Sequence, residues 1–154
     1  YRPGAVKVEQ VDILDLLNHV LNLTSQQLSQ RHIEIKADLP ESMPVIYAVS
    51  GQIQQIFFNL ILNSFDAMPG GGNLKISARA VDQGVEVIFH DSGLGIPEER
   101  RNNIFEPFFS TKDGGTGLGL TVSYNIVTAH GGTLDLLDED EPGACFRLFL
   151  PIGD

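Results

Sequence analysis

Apolar positions near the start of the chain recur at helical spacing. Ile13, Leu14, Leu17, Val20, Leu21 and Leu28 fall on one face, which predicts an amphipathic helix from residue 12 to about residue 30. Asp12 with Asp15 resembles a capping box at its start. Residues 5–10 alternate weakly and read as a short extended piece ahead of it. Beyond the helix, Ile33 and Ile35 alternate with Glu34 and Lys36 as a half-buried strand. Leu39-Pro40 and Met43-Pro44 then interrupt the pattern before a short apolar strand at 45–48.

A second helix follows, with Ser50 placed to cap it and Ile53, Ile56, Phe57, Leu60, Ile61 and Phe65 as its apolar stripe. Beside that stripe run Gln55, Asn59, Asn63 and Asp66, spaced by four and three so that they form one polar row. Pro69 and the glycines after it stop the helix. Residues 74–80 and 85–91 alternate as a hairpin about Asp82-Gln83-Gly84, which puts Asp91 at a strand end. Pro97, Glu98 and Glu99 suit the first turn of a brief helix to about residue 104. A third helix, residues 118–130, has Leu120, Val122, Ile126, Val127 and Ala129 to face a core. Strands at 133–137 and 145–150 close the chain. The order predicts an α/β (α+β) two-layer sandwich: a mixed, largely antiparallel sheet with helices packed on one face.

A chain of 154 residues with 42% hydrophobic content suffices for one domain with its own core. A net charge of −10, with 10 basic residues against 20 acidic, argues against a nucleic-acid partner. The single Cys145 allows no internal disulfide and fits a reducing, cytoplasmic compartment. No apolar run reaches bilayer length, although the sequence leaves open whether the full-length protein is membrane-anchored. Tyr1-Arg2-Pro3-Gly4 reads as linker rather than as a natural start, so residues 1–10 are expected to lead in from a missing neighbour and 11–154 to form the domain.

The densest chemistry lies in DSGLGIPEERRNNIFEPFFSTKDGGTGLGL, from Asp91 to Leu120, where two glycine-rich turns let backbone approach a ligand closely. The second, Gly115-Thr116-Gly117-Leu118-Gly119-Leu120, runs into a helix whose free N–H groups suit an anion, and a nucleotide is the inferred ligand. It is neither a GK[ST] P-loop nor a Rossmann fingerprint. A carboxylate at Asp91 can accept from the amino group of adenine, which guanine lacks at that position; an isolated Asp-Ser-Gly would equally cap its own turn. Asn63 offers a carbonyl oxygen to Mg²⁺ beside nucleotide phosphates, or is one more residue of a solvated stripe. Asn59 could bond a metal-bound water or a phosphate, and Gln55 and Asp66 read as exposed. Lys112 is placed to meet a phosphate, with an ordinary surface lysine as the alternative. Phe105, Phe108 and Phe109 read as core anchors. His19, His32, His90 and His130 show no metal-ligand spacing and are expected to be structural.

Together these motifs resemble the catalytic ATP-binding domain of bacterial sensor histidine kinases, within the superfamily shared with gyrase, Hsp90 and MutL. Gln55-Ile56-Phe57-Phe58-Asn59-Leu60-Ile61-Leu62-Asn63 matches the N box and Asp91-Ser92-Gly93-Leu94-Gly95-Ile96 the first glycine box. Phe105-Glu106-Pro107-Phe108-Phe109 matches the F box, and Gly115 to Leu120 the second glycine box.

The resemblance implies that Mg²⁺ binds at Asn63 and the adenine amino group at Asp91, with a lid over the phosphates at 106–117. The ATP-binding set is then Asn59, Asn63, Asp91, Gly93, Gly95, Ile96, Phe108, Thr111, Lys112, Gly115, Thr116, Gly117, Leu118, Gly119 and Leu120. Asn59 and Lys112 are expected to be catalytic. Hydrolytic members of the superfamily carry a water-activating Glu where Asn59 stands, so hydrolysis is expected to be slow and transfer to an acceptor favoured.

Asp66 stands where many members have a basic residue, and Ala144 near where a Ser or Thr is common. The short lid resembles that of the nitrogen-regulation and sporulation kinases. No phosphoacceptor His motif is present. The implied partners are therefore a phosphoacceptor His domain of the same protein, through which it would form a homodimer, and a response regulator. A degenerate nucleotide-binding module for docking or sensing is the alternative.

Overall fold

The computed structural model describes residues 7–106 and 119–153. Its elements run β1 (Glu9–Val11), α1 (Ile13–Gln30), β2 (Ile33–Asp38), β3 (Ile46–Ala48), α2 (Ser50–Ala67), β4 (Gly72–Val81) and β5 (Gly84–Asp91). A 3₁₀ helix (Glu98–Asn103) follows, then α3 (Gly119–Ala129), β6 (Thr133–Leu137) and β7 (Cys145–Pro151). A five-stranded sheet has the order β2-β4-β5-β7-β6. Its β2–β4 pair is parallel and the rest antiparallel. β1 pairs separately with β3.

Strand alternation decides which face is covered. Leu74 and Ile76 of β4, Val85, Val87 and Phe89 of β5, and Phe146, Leu148 and Leu150 of β7 join the apolar faces of α1 and α2 in one core. Every residue of the expected α2 stripe is buried there, with Phe57 and Phe89 tilted rings 6.0 Å apart. The opposite face is polar: Lys75 pairs with Glu141, and Glu86 lies between Arg79 and Arg147. This is the expected layered arrangement. No helix among the described residues is long and apolar enough to cross a membrane.

Helix starts show where local reading succeeds and fails. Asp12 is the N-cap of α1, its Oδ1 accepting the N–H groups of Leu14 and Asp15. Ser50, expected to cap α2, is instead its first residue; the cap is Val49, which makes no side-chain capping bond. The Val49 N–H donates to His130 Nε2 at 3.2 Å, so the end of α3 serves the start of α2.

The expected inner face of α3 is also corrected. Thr121, Ser123 and Val127 are buried, Leu120 and Ile126 are half-buried, and Val122 and Ala129 are exposed. The two hydroxyls can go inside because each has a partner: Thr121 donates to the Phe105 carbonyl, and Ser123 accepts from Asn59.

Candidate functional site

Asp91 ends β5 and is 5% exposed. Its Oδ1 accepts from the N–H of Gly93 at 2.9 Å and of Ala144 at 3.1 Å. A buried carboxylate needs such donors. Oδ1 thus caps the turn, as one reading of Asp91 had it, and Oδ2 has no protein partner among the described residues.

The backbone around Asp91 is packed too closely for side chains. A Cβ on Gly93 would lie 2.1 Å from the Ala67 carbonyl oxygen, and one on Gly143, whose φ is +105°, would lie 1.9 Å from that of Asp91. Ser92 secures the loop from below: its Oγ accepts from the Asn73 N–H at 2.9 Å and donates to Met68 Sδ at 3.4 Å. Beyond it, Ile96 packs on the core and Gly95 takes a left-handed φ of +76°.

The polar row of α2 divides in two. Asn59 Nδ2 donates to the Gly119 carbonyl at 3.1 Å and to Ser123 Oγ at 3.3 Å, while its Oδ1 accepts from Gln55 Nε2 at 2.7 Å. A carbonyl oxygen can only accept, so the Gly119 contact fixes which way the amide points. Asn59 thus ties α2 to the first turn of α3, where Gly119 and Leu120 lie. Asn63, one turn on, is half-buried, and its amide has no partner among the described residues. Gln55 and Asp66 are exposed, as expected.

Asn59, Gly119 and Leu120 come together between α2 and α3, and Asp91, Gly93, Gly95 and Ile96 gather at the end of β5. Phe108, Thr111, Lys112, Gly115, Thr116, Gly117 and Leu118, with most of the expected lid, lie outside the described residues. Phe105, expected as a core anchor, stacks on Tyr124 at 5.1 Å and meets Phe146 edge-on at 6.4 Å. Sequence reasoning missed the part played by Gly143 and the Ala144 backbone in holding Asp91. The usable signal was a glycine opening the strand that pairs with β5.

A two-layer fold with a carboxylate ending a central strand and an Asn-lined helix beside it defines a class of nucleotide-binding domain. The chain belongs to the family described as histidine kinase-, DNA gyrase B-, and HSP90-like ATPase, whose model matches residues 48–154. It is 33% identical over 152 residues to sporulation kinase E of Bacillus subtilis (strain 168), covering 98% of this chain and 21% of that protein. It is 36% identical over 152 residues to the sensor histidine kinase ZraS of Escherichia coli (strain K12), covering 99% and 33%.

Among solved structures, the nucleotide-free catalytic domain of the histidine kinase ThkA matches with a TM-score of 0.86 at 28% identity, covering 96% of this chain and 97% of that one. ThkA in complex with the response regulator protein TrrA matches at 0.83 and 25% identity, covering 96% and 42%. The chain is therefore homologous to sensor histidine kinases and has the fold of their catalytic domain. It spans 21% and 33% of the lengths of the two curated relatives.

Proposed function

We propose that residues 11–154 bind Mg-ATP and pass its γ-phosphoryl group to a histidine on a separate dimerisation domain, reached through residues 1–10, for relay to a response-regulator aspartate. The observation that carries this reading is the state of Asp91: one carboxylate oxygen is fixed by two backbone amides, and the other has no protein partner among the described residues. An adenine amino group meets that second oxygen as a donor, whereas guanine presents an acceptor there and is refused. The close backbone packing at Gly93 and Gly143 holds this strand end and its carboxylate in place.

Mg²⁺ fits the donor set at Asn63, a half-buried amide oxygen on the helix beside this pocket. The ion, when bound, neutralises phosphate charge. Asn59 positions the first turn of α3 against α2, and an amide cannot take a proton from water at neutral pH. Hydrolysis without an acceptor is accordingly slow, while transfer needs chiefly positioning and charge neutralisation. Lys112 supplies a further phosphate contact. The domain works in the cytoplasm and, in the intact protein, as part of a homodimer whose other domains provide the histidine.

Calorimetric titration of ATP with Mg²⁺, with GTP as control and Asp91→Asn as comparison, tests the pocket. Selective ATP binding lost in the variant supports the reading. Radiolabel transfer from ATP to an added histidine domain tests the reaction. Binding without any transfer would favour a docking or sensing module instead.

A further inference from the structure

On the open face of the sheet, away from the helices, His90 of β5 and Cys145 of β7 are direct cross-strand partners. Glu139, in the acidic stretch between β6 and β7, reaches over them, and its Oε1 lies 3.7 Å from Cys145 Sγ. One ligand-type atom from each of the three side chains lies within 4.8 Å of the other two. These residues come from three separate parts of the sequence, which is why no local spacing announces them.

From this cluster we infer a binding site for a borderline-soft divalent metal ion of the zinc type, with His90, Cys145 and Glu139 as its protein ligands. An imidazole, a thiolate and a carboxylate form a mixed N, S, O set that zinc accepts, whereas calcium and magnesium favour oxygen alone. In a tetrahedral zinc site with bonds of about 2.0–2.3 Å the ligand atoms stand about 3.5 Å apart, so the side chains need to close by roughly 1 Å. A fourth position is open to water, as in other sites with three protein ligands.

An independent observation points the same way. Among the described residues, His90 Nε2 is the buried side-chain nitrogen or oxygen without a hydrogen-bond partner. A buried imidazole nitrogen left unpaired is costly, and a cation supplies what it lacks. Cys145 is 1% exposed and unpaired by disulfide, and Glu139 is exposed, so metal reaches the thiol from the solvent side. The neighbouring carboxylates Asp138, Asp140 and Glu141 attract a cation to this face; of them, Glu141 is engaged by Lys75 and Asp138 by Arg101. Binding replaces the proton on Sγ with the metal, and that proton leaves to solvent. The ion then staples β5 to β7 one residue from the Asp91–Ala144 contact.

Titration of the whole chain with Co²⁺, reduced and first freed of metal by a chelator, tests the site. The expected result is one equivalent bound, with a near-ultraviolet thiolate-to-cobalt band and the intense visible bands of tetrahedral Co²⁺, all lost on adding Zn²⁺. Loss of even an outer-shell partner typically costs about tenfold or more in affinity, so His90→Gln and Glu139→Gln should each cost at least that. Cys145→Ser should abolish the thiolate band. Circular dichroism checks the fold, and should Cys145→Ser fail to fold, the variant of exposed Glu139 decides. No thiolate band at saturating Co²⁺ overturns the site, as does an affinity unchanged in both His90→Gln and Glu139→Gln, which would mean a thiol binding alone. None of these readouts involves ATP, so they stand or fall independently of the nucleotide pocket.

Discussion

Ala144 and Asp91 hold each other through a reciprocal pair of hydrogen bonds: the Ala144 N–H donates to Asp91 Oδ1 at 3.1 Å, and the Ala144 carbonyl accepts the Asp91 N–H, also at 3.1 Å. The strand end and its carboxylate are thus fixed by the backbone of residue 144 and not by its side chain. Ala144→Ser therefore leaves ATP affinity close to that of the native chain. Gly143→Ala does not. Its Cβ would lie 1.9 Å from the Asp91 carbonyl oxygen and 2.9 Å from Oδ1, at a φ that costs a non-glycine residue about 1–2 kcal/mol before any clash. We expect ATP affinity to fall about tenfold or more, as read by calorimetry.

Asn59 supplies the second prediction. Asn59→Asp keeps the shape but sets a carboxylate against the Gly119 carbonyl, replacing a donor with an acceptor. Loss of that bond should cost about 1–3 kcal/mol in urea unfolding, with α3 and the α2–α3 contact affected most, whereas the Ser123 hydroxyl can turn to donate to the new carboxylate. Unchanged stability would mean that Asn59 is no tie between the helices and is available for the phosphates.

Much of this architecture was legible because its signals are local. The α2 stripe names its own buried residues, and the alternation of residues 85–91 places Asp91 at a strand end. What escaped depends on distant partners. Ser50 looked like a cap because serine usually is one, but the cap is Val49, whose own N–H is taken by His130 across 81 residues. Thr121 and Ser123 are missing from the expected inner face of α3 because the acceptor on Phe105 and the donor on Asn59 are invisible to periodicity. The nearness of His90 to Cys145 and Glu139 escaped for the same reason, since they meet only through strand pairing and a folded-back loop. Lys112 and residues 115–118 of the second glycine turn, legible as motifs, lie outside the described residues.

Glu86 governs the acid side of stability. It is 3% exposed on the otherwise open face, bonded to Arg79 Nε at 2.8 Å and Arg147 Nε at 2.6 Å. Burial alone pushes its carboxyl up, but the bonds and charges of the two arginines outweigh that and hold it below the ordinary 4.5. A depressed carboxylate contributes stability that is fully present above its unfolded value and is lost as pH falls through the folded one. Unfolding followed downward from pH 4.5 should therefore show a decline that Glu86→Gln flattens. At neutral pH the same variant should cost about 1–2 kcal/mol, kept small because Arg79 is largely solvated.

Cys145 governs the alkaline side. Burial first, then the charge and hydrogen bond of Glu139, push its thiol from 9.0 up to about 11. The unfolded chain gives up this proton before the folded one does, so stability is full below pH 9.0 and falls as pH rises toward 11. A shift of that size corresponds to a full loss of about 3 kcal/mol well above both values, of which roughly 2 kcal/mol falls between them. Metal-free native chain should lose the smaller amount in urea unfolding between the two pH values, whereas Cys145→Ala should show a flatter profile there. Glu139→Gln should lower the thiol, and ultraviolet thiolate absorbance should then develop at lower pH. A thiolate that formed at the same pH in native chain and variant would remove Glu139 from contact with the thiol.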